Sequence, residues 1–148
     1  MANTRLSVST IAMLLTKPEY LLSGANVEAM ELGRMIHAKV YPTRQNKLCK
    51  NVDGVDIVGY PDTIRDGIIE ELKIINGGSR EGQLEYACVK ANIYCYLAGL
   101  YRYRIRLFGI SILKEEQIEF DADHDKALQN IRRAISIQTE LHKVIGVA

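Results

Sequence analysis

The apolar and polar residues of this chain alternate with two periods, one typical of helices and one typical of strands. Apolar residues at helical spacing predict four helices, bounded by residues that commonly cap helix ends. They run from Thr10 to Leu15 with Ser9 as cap, from Val27 to about Val40 with Asn26 as cap, from the Ser79 cap to about Ala98, and from about Asp123 to Val144. The last helix is expected to bury Ala127, Leu128, Ile131, Ala134, Ile135, Leu141 and Val144.

Segments of alternating and β-branched residues predict strands between these helices. One strand should begin near Leu48, and others should cover Val52 to Tyr60, Gly67 to Ile75 and Tyr101 to Ile112. This order of elements predicts an α/β fold in which a mixed central β-sheet is flanked by helices. The 148 residues are expected to form one domain over positions 1–148.

A hairpin is predicted at Asp66 and Gly67, because both central residues of a type I′ turn need positive φ and these two residue types tolerate it. Residues whose numbers add to 133 then lie opposite one another, which places Asp62 across from Glu71 at roughly 5 Å between Cβ atoms. Side chains alternate along a strand, so Glu71 and Lys73 share one face. The sequence therefore predicts two carboxylates and an ammonium group in one place.

Opposed carboxylates destabilise a pair of strands unless a positive charge lies between them. Hard oxygen ligands of this kind suit Mg²⁺ or Mn²⁺. The ammonium group of Lys73 could then hold a water molecule or a phosphate oxygen beside the ion. The alternative is that Asp62 and Glu71 are solvated charges at the end of a hairpin, and the spacing alone leaves both interpretations open.

Composition and charge narrow the class of protein. The chain is 47% hydrophobic and 25% charged, which is ordinary for a soluble protein. It has neither an apolar run near the ~20 residues that span a bilayer nor a signal-peptide pattern, so we expect a cytoplasmic protein with no membrane partner. Cys49, Cys88 and Cys95 are odd in number and lack a Cys-x-x-Cys spacing, so neither a disulfide framework nor a closed zinc or iron-sulfur site is encoded.

The net charge of +1 is not that of a typical nucleic-acid binder, so any DNA contact must come from a local cluster. On the predicted strand Arg102, Arg104 and Arg106 share one face, where they could contact phosphates. The alternative is an edge strand whose charges prevent aggregation. Further candidates for the same basic surface are Arg34, Lys39, Arg44, Lys47 and Lys50.

Three short motifs follow one another in these predicted elements: Gly33-Arg-Met-Ile-His37 on a helix, Gly59-Tyr-Pro-Asp62, and Glu71-Leu-Lys73 on a strand. In order, spacing and context they resemble the PD-(D/E)XK nuclease superfamily, and within it the RecB-like branch that includes CRISPR-associated RecB-family exonucleases. The resemblance implies a restriction-endonuclease-like core and metal-dependent hydrolysis of DNA. It implies that Asp62, Glu71, His37 and the Leu72 carbonyl bind Mg²⁺ or Mn²⁺, and that Lys73 positions the attacking water.

Two features depart from that family's pattern. Lys17 stands where members with an iron-sulfur cluster have Cys, and no cysteine trio follows the last predicted strand, so no such cluster is expected. The family's fourth motif is Gln followed four residues later by Tyr. Here Gln83 is followed by Tyr86 one position early, whereas Lys90 and Tyr94 have the four-residue spacing. The sequence does not decide which pair faces the site.

Other functions stay open at this stage. A member of the family without catalytic activity could serve as a DNA-binding or protein-interaction module on the same scaffold. A nuclease could also act on RNA or on branched DNA. Beyond the DNA substrate, the resemblance allows a homo-oligomer or a protein partner from recombination, repair or a CRISPR-type system.

Overall fold

The computed structural model describes residues 4–19, 27–41, 47–76 and 79–146. The helices in these ranges are α1 (Val8–Thr16), α2 (Val27–Val40), α3 (Arg80–Ala98) and α4 (His124–Ile145). The strands are β1 (Thr4–Ser7), β2 (Leu48–Val52), β3 (Val55–Gly59), β4 (Thr63–Arg65), β5 (Ile68–Ile75), β6 (Arg102–Gly109) and β7 (Lys114–Asp121).

The strands form two mixed sheets rather than the one central sheet that the sequence predicts. The first has the order β1-β3-β2, with β1 parallel and β2 antiparallel to β3. The second has the order β4-β5-β6-β7, in which only the central pair β5 and β6 is parallel. Helix α3 contacts β2 of the first sheet and β5 and β6 of the second, and it also packs on α1 and α4. The predicted α/β class, with helices flanking mixed sheet, is confirmed.

Two turns of the same chemistry shape the strands. Asp66 and Gly67 have φ values of 54° and 74°, and β4 pairs with β5 in the predicted register, with Thr63 opposite Glu70. Asp53 and Gly54 also have positive φ, at 50° and 84°, and they join β2 to β3. The prediction of one strand from Val52 to Tyr60 is therefore wrong, because it runs through a second Asp-Gly turn.

The helix predictions are confirmed for α2, α3 and α4, and Gly99 ends α3 at a φ of 71°. The proposed cap Asn26 lies outside the described residues. Helix α1 begins earlier than predicted, because the Ser7 side chain rather than Ser9 accepts the N–H of Thr10. The predicted inner face of α4 is wrong at its end, since Leu141 and Val144 are 45% and 81% exposed. None of the described helices is both long and apolar enough to cross a bilayer.

The second sheet extends further than predicted. Strand β6 ends at Gly109 instead of Ile112, and a turn that contains Leu113 at a φ of 51° leads into β7, a strand that the sequence pattern does not predict. Because β6 pairs with β5 on one side and β7 on the other, it is an interior strand. The interpretation of its arginines as protection of an edge strand is therefore wrong.

Candidate active site

The hairpin brings Asp62 and Glu71 together, as the sequence predicts. The Asp62 backbone N–H donates to Glu71 Oε1 over 3.1 Å, and the Leu72 N–H donates to Asp62 Oδ2 over 2.8 Å. From α2, His37 places Nδ1 at 3.0 Å from Asp62 Oδ1. Three of the predicted site residues thus form a connected chain of contacts across the hairpin and α2, while their role as metal ligands stays a prediction.

Helix α3 covers the face of β5 that carries Glu71 and Lys73. The Lys90 Nζ lies 3.7 Å from Glu71 Oε2, and the Lys73 Nζ lies 4.7 Å from the centre of the Tyr86 ring. Lys90 Nζ is also 6.0 Å from the ring centres of Tyr86 and Tyr94. The four candidates for the fourth motif, Gln83, Tyr86, Lys90 and Tyr94, follow one another at helical spacing. Both pairs therefore lie along one side of α3, and which pair serves as the fourth motif stays a prediction.

Burial sets the protonation of the two acidic groups in different ways. It raises the pKa of Glu71 above its ordinary value, an effect that the nearby Lys90 opposes and Asp62 strengthens. Burial acts on Asp62 in the same sense, but its contacts with His37 and the Leu72 N–H outweigh this and lower its pKa. The pair is therefore asymmetric, with Asp62 the more readily ionised carboxyl group.

The two lysines are shifted in opposite directions. Burial lowers the pKa of Lys73 to about 8, and the neighbouring charges of Lys17 and Lys90 act in the same direction. Burial also disfavours the charged form of Lys90, but the Glu71 carboxylate prevails and raises its pKa. Lys90 is thus the fixed cation of the site, whereas the charge on Lys73 responds to its surroundings.

The two carboxylates at the site suit a hard divalent cation, and the His37 imidazole adds a softer nitrogen donor beside them. Among the described residues, however, no three His, Cys, Asp or Glu side chains are gathered into a metal-binding cluster. Within the same ranges, the side-chain oxygen of Gln83 is buried without a hydrogen-bond partner. Such an oxygen can accept from a bound water molecule. The residues therefore fit a metal site in chemical type, with the Lys90 ammonium close to the Glu71 carboxylate.

Gly59, the first residue of the Gly-x-x-Asp motif, has a packing role that the sequence did not reveal. A Cβ at this position would lie 2.6 Å from Cε1 of Tyr94 and 3.0 Å from Cγ2 of Val8. Both neighbours belong to the buried core, at 2% and 0% exposure, so neither can move into solvent. Glycine thus lets β3 approach α3 where Tyr94 reaches the site.

We expect Gly59→Ala to lower the free energy of unfolding by about 1–3 kcal/mol, the usual cost of overpacking a core. Urea unfolding measures this change. Gly33→Ala is the matched control, because a Cβ at Gly33 would meet nothing within 4 Å and alanine favours a helix by roughly 0.5–1 kcal/mol. If Gly59→Ala is as stable as the parent, this packing role is wrong.

The arginines predicted to contact DNA are paired with carboxylates. Arg104 donates to Glu70 and Glu119, and Arg106 pairs with Glu70 and with Glu115. Arg102 pairs with Glu119 and Asp121. These ion pairs give the three side chains a structural function within the sheet, and phosphate binding by them stays a prediction.

Tyr41 and Glu70 belong to this network, and the sequence pattern does not predict a role for either. The Tyr41 hydroxyl donates to Glu70 Oε2 over 2.6 Å and accepts from Arg106 over 3.1 Å, and the Glu70 residue is only 2% exposed. Tyr41 follows α2 and lies one helical turn after His37, so this contact fixes α2 on the sheet beside Asp62. The alternation along β5 assigns Glu70 to the face opposite Glu71, and a buried carboxylate there needs a cation from the next strand.

Replacing Glu70 with Gln should remove stability that depends on pH. Tyr41 and the arginines lower the pKa of Glu70 against the effect of burial, so the stabilisation is present above the ordinary pKa of about 4.5 and is lost as the pH falls through the lower folded value. Glu70→Gln should therefore cost about 2 kcal/mol at pH 7, and this difference should disappear in acid. Urea unfolding from pH 3 to 8 measures it.

The exposed Glu116 pairs with Arg80 at the surface and provides the matched control. Arg80 lowers the pKa of Glu116 as well, but solvent screens an exposed ion pair, so Glu116→Gln should change the dependence of stability on pH much less than Glu70→Gln. If the parent and Glu70→Gln differ in free energy of unfolding by the same amount at every pH, the ionised Glu70 carboxylate is not the source of the stabilisation.

The other basic candidates are dispersed. Arg34 is exposed on α2, and Lys47 is exposed just before β2 of the first sheet. Lys39 and Lys50 are also exposed, and Lys50 Nζ lies 4.3 Å from the centre of the Tyr96 ring. Arg44 lies outside the described residues. These positions give no contact that joins them into one surface, so their role in DNA binding stays a prediction.

Comparisons with known proteins define the class of fold. No protein-family model and no curated protein matches the sequence. Among solved structures, the chain is similar to the crystal structure of SSO0001, with a TM-score of 0.70 and 15% identity over 93% of this chain and 78% of that one. It is also similar to the alkaline exonuclease LHK-Exo from Laribacter hongkongensis, with a TM-score of 0.54 and 13% identity over 96% of this chain and 90% of that one.

At this level of identity the likeness shows the fold, which is the restriction-endonuclease-like core of nucleases. The predicted fold class is confirmed.

Proposed function

We propose that this protein is a Mg²⁺- or Mn²⁺-dependent deoxyribonuclease that hydrolyses DNA phosphodiester bonds as a RecB-like exonuclease. The observation that carries the proposal is the contact of Asp62 with both Glu71 and His37, on a face of β5 that also presents Lys73. The order of these residues matches the three motifs. The similarity in fold to an alkaline exonuclease supports exonuclease action.

Each residue has a distinct part in the proposed reaction. Asp62 and Glu71 would hold the ion, with His37 and the Leu72 carbonyl as further ligands. A bound divalent ion lowers the pKa of water, polarises the phosphoryl oxygen and orients the leaving group. Lys73 would orient the attacking water and stabilise negative charge that develops on the phosphate.

Helix α3 supports these groups through its side chains. Lys90 holds the Glu71 carboxylate at 3.7 Å, and the Tyr86 ring lies beside the ammonium of Lys73. An ammonium within ≈ 6 Å of an aromatic ring is attracted to its negative face. Tyr86 would thereby keep Lys73 aimed at the substrate while burial makes its charge sensitive to the surroundings.

One observation favours a second candidate, a non-catalytic DNA-binding or protein-interaction module. Lys90 already supplies a positive charge to Glu71, so the carboxylate pair is partly compensated by the chain itself. In such a module the same contacts would stabilise the hairpin and α3. Calorimetry with Mn²⁺ distinguishes the nuclease from such a module, because the module should show no Mn²⁺ site of useful affinity.

The decisive experiment is digestion of 5′- and 3′-labelled single- and double-stranded DNA with Mg²⁺, with Mn²⁺ or with a chelator. The proposal expects products that shorten from an end and that disappear in the chelator. RNA and branched DNA tested alongside measure the substrate class. Absence of cleavage with both metals on every substrate would contradict the proposal.

The proposal also covers the domain organisation, the cellular location and the partners of the enzyme. We infer a single nuclease domain over positions 1–148 that acts on DNA in the cytoplasm. It would work alone, as a homo-oligomer, or with a protein partner from recombination, repair or a CRISPR-type system. Size-exclusion chromatography with light scattering, with and without DNA, tests the oligomeric state.

A further inference from the structure

Three lysine side chains surround one aromatic ring next to the carboxylate pair. Their Nζ atoms lie 5.6 Å for Lys17, 4.7 Å for Lys73 and 6.0 Å for Lys90 from the centre of the Tyr86 ring. All three ammonium groups therefore lie near the same aromatic ring. The sequence motifs account for Lys73 and Lys90 as site candidates, but they assign no function to Lys17.

The three lysines come from separate parts of the fold. Lys17 follows the last turn of α1, Lys73 is on β5, and Lys90 is on α3. The Lys17 side chain lies along the first turn of α3, since its Cε is 4.0 Å from the Cβ that Gly82 lacks. The packing of α1 on α3 therefore directs Lys17 towards the ring that also contacts Lys73.

Such a group of cations is suited to an anion. Lys90 pairs with the buried Glu71, the carboxylates of Glu71 and Asp62 also act on Lys73, and those of Glu19 and Glu85 act on Lys17. Like charges that gather around one ring repel each other, and the ring compensates only part of this. A phosphate group offers several acceptor oxygens and a negative charge, so it can contact more than one ammonium at once.

We propose that Lys17 binds a DNA phosphate that neighbours the one cleaved, so that the Tyr86 ring lies between Lys73, which faces the scissile phosphate, and Lys17, which contacts the next one. The inference rests on the proposed nuclease function for the position of the scissile phosphate. The shared chemistry is that of a phosphate oxygen, supplied either by an internal phosphodiester or by a terminal phosphate. Lys17 would position the strand without taking part in bond breaking.

The test compares Lys17→Ala with Lys17→Arg and with the control Lys126→Ala, which removes an exposed lysine from the first turn of α4. Anisotropy of a labelled oligonucleotide in chelator measures affinity against salt concentration without cleavage. Loss of one phosphate contact should reduce the slope of log K against log salt by about 0.7 on single strands and about 0.9 on duplexes. Lys17→Arg should restore the slope, and Lys126→Ala should keep it.

Oligonucleotides with and without terminal phosphates distinguish the two sources. A Lys17 effect that vanishes without the terminal group identifies an end phosphate, and one that persists identifies an internal phosphodiester. An unchanged slope in Lys17→Ala overturns the inference, as does a parent protein that does not bind DNA. Cleavage kinetics separate the role of Lys17 from the proposed nuclease function. In Lys17→Ala, KM should rise about fivefold to tenfold near 0.1 M salt while kcat stays unchanged. DNA binding that depends on Lys17 in a protein without nuclease activity would overturn only the proposed function.

Discussion

Replacing Asp62 with Asn should reduce DNA cleavage by about 1,000-fold or more while the fold stays intact. The variant loses one negative charge from the proposed metal site, and metal-ion catalysis contributes several kcal/mol to the transition state. The asparagine side-chain oxygen can still accept the Leu72 N–H, which now donates to Asp62 Oδ2 over 2.8 Å. Initial rates on labelled DNA in Mn²⁺ measure the loss, and circular dichroism measures the fold.

Asp121→Asn is the matched control, because its side chain is 92% exposed and lies on β7, away from the hairpin that carries Asp62. This variant should cleave DNA at the rate of the parent. Calorimetry with Mn²⁺ provides a second measurement, in which Asp62→Asn alone should lose affinity for the ion. If Asp62→Asn cleaves as fast as Asp121→Asn, then Asp62 does not belong to the catalytic centre.

The hairpin could be predicted because its information is local. Asp66 and Gly67 tolerate the positive φ that a type I′ turn requires, and the turn fixes which residues pair. Side chains alternate with a period of two, so the register also decides which face carries Glu71 and Lys73. From one dipeptide the sequence therefore predicts both the meeting of Asp62 with Glu71 and the direction of Lys73.

Strand β7 could not be predicted because its information is not local. Six of its eight residues are polar, and only Ile118 and Phe120 pack towards the core. The strand is held by pairs across β6, such as Arg104 with Glu119, which lie opposite one another in the register. A polar strand at the edge of a sheet shows no apolar period by itself, and its partners are known only when the sheet is assembled.

The site shows the same division between local and distant information. The three motifs identify Asp62, Glu71 and Lys73, but nothing near Lys17 in the sequence indicates that its ammonium lies 5.6 Å from the Tyr86 ring. That proximity depends on how α1 packs against α3. The ion pair of Lys90 with Glu71 is likewise set by the position of α3 over β5. Motifs thus predict which residues form the candidate site, whereas packing determines their charge environment.

Lys73→Met should reduce the rate of DNA cleavage by about 100-fold or more and should leave the protein at least as stable as the parent. Activity falls because no ammonium remains to orient water and stabilise charge on the phosphate, which is worth about 2.7–4 kcal/mol for one such group. Stability is kept because Lys73 is partly buried near two other ammonium groups, and burial together with Lys17 and Lys90 lowers its pKa to about 8. Methionine keeps the length of the side chain without the charge. Single-turnover rates and urea unfolding measure the two effects.

Lys73→Arg and Lys114→Met complete the series. Arginine retains a positive charge but not the shape or the protonation behaviour of lysine, so it should recover only part of the lost rate. Lys114 is exposed at the start of β7, and its replacement should change neither rate nor stability. A Lys73→Met variant that is less stable than the parent would show that the ammonium serves the fold. A fall in the cleavage rate without a fall in the free energy of unfolding is expected only if the buried ammonium serves catalysis and does not stabilise the fold.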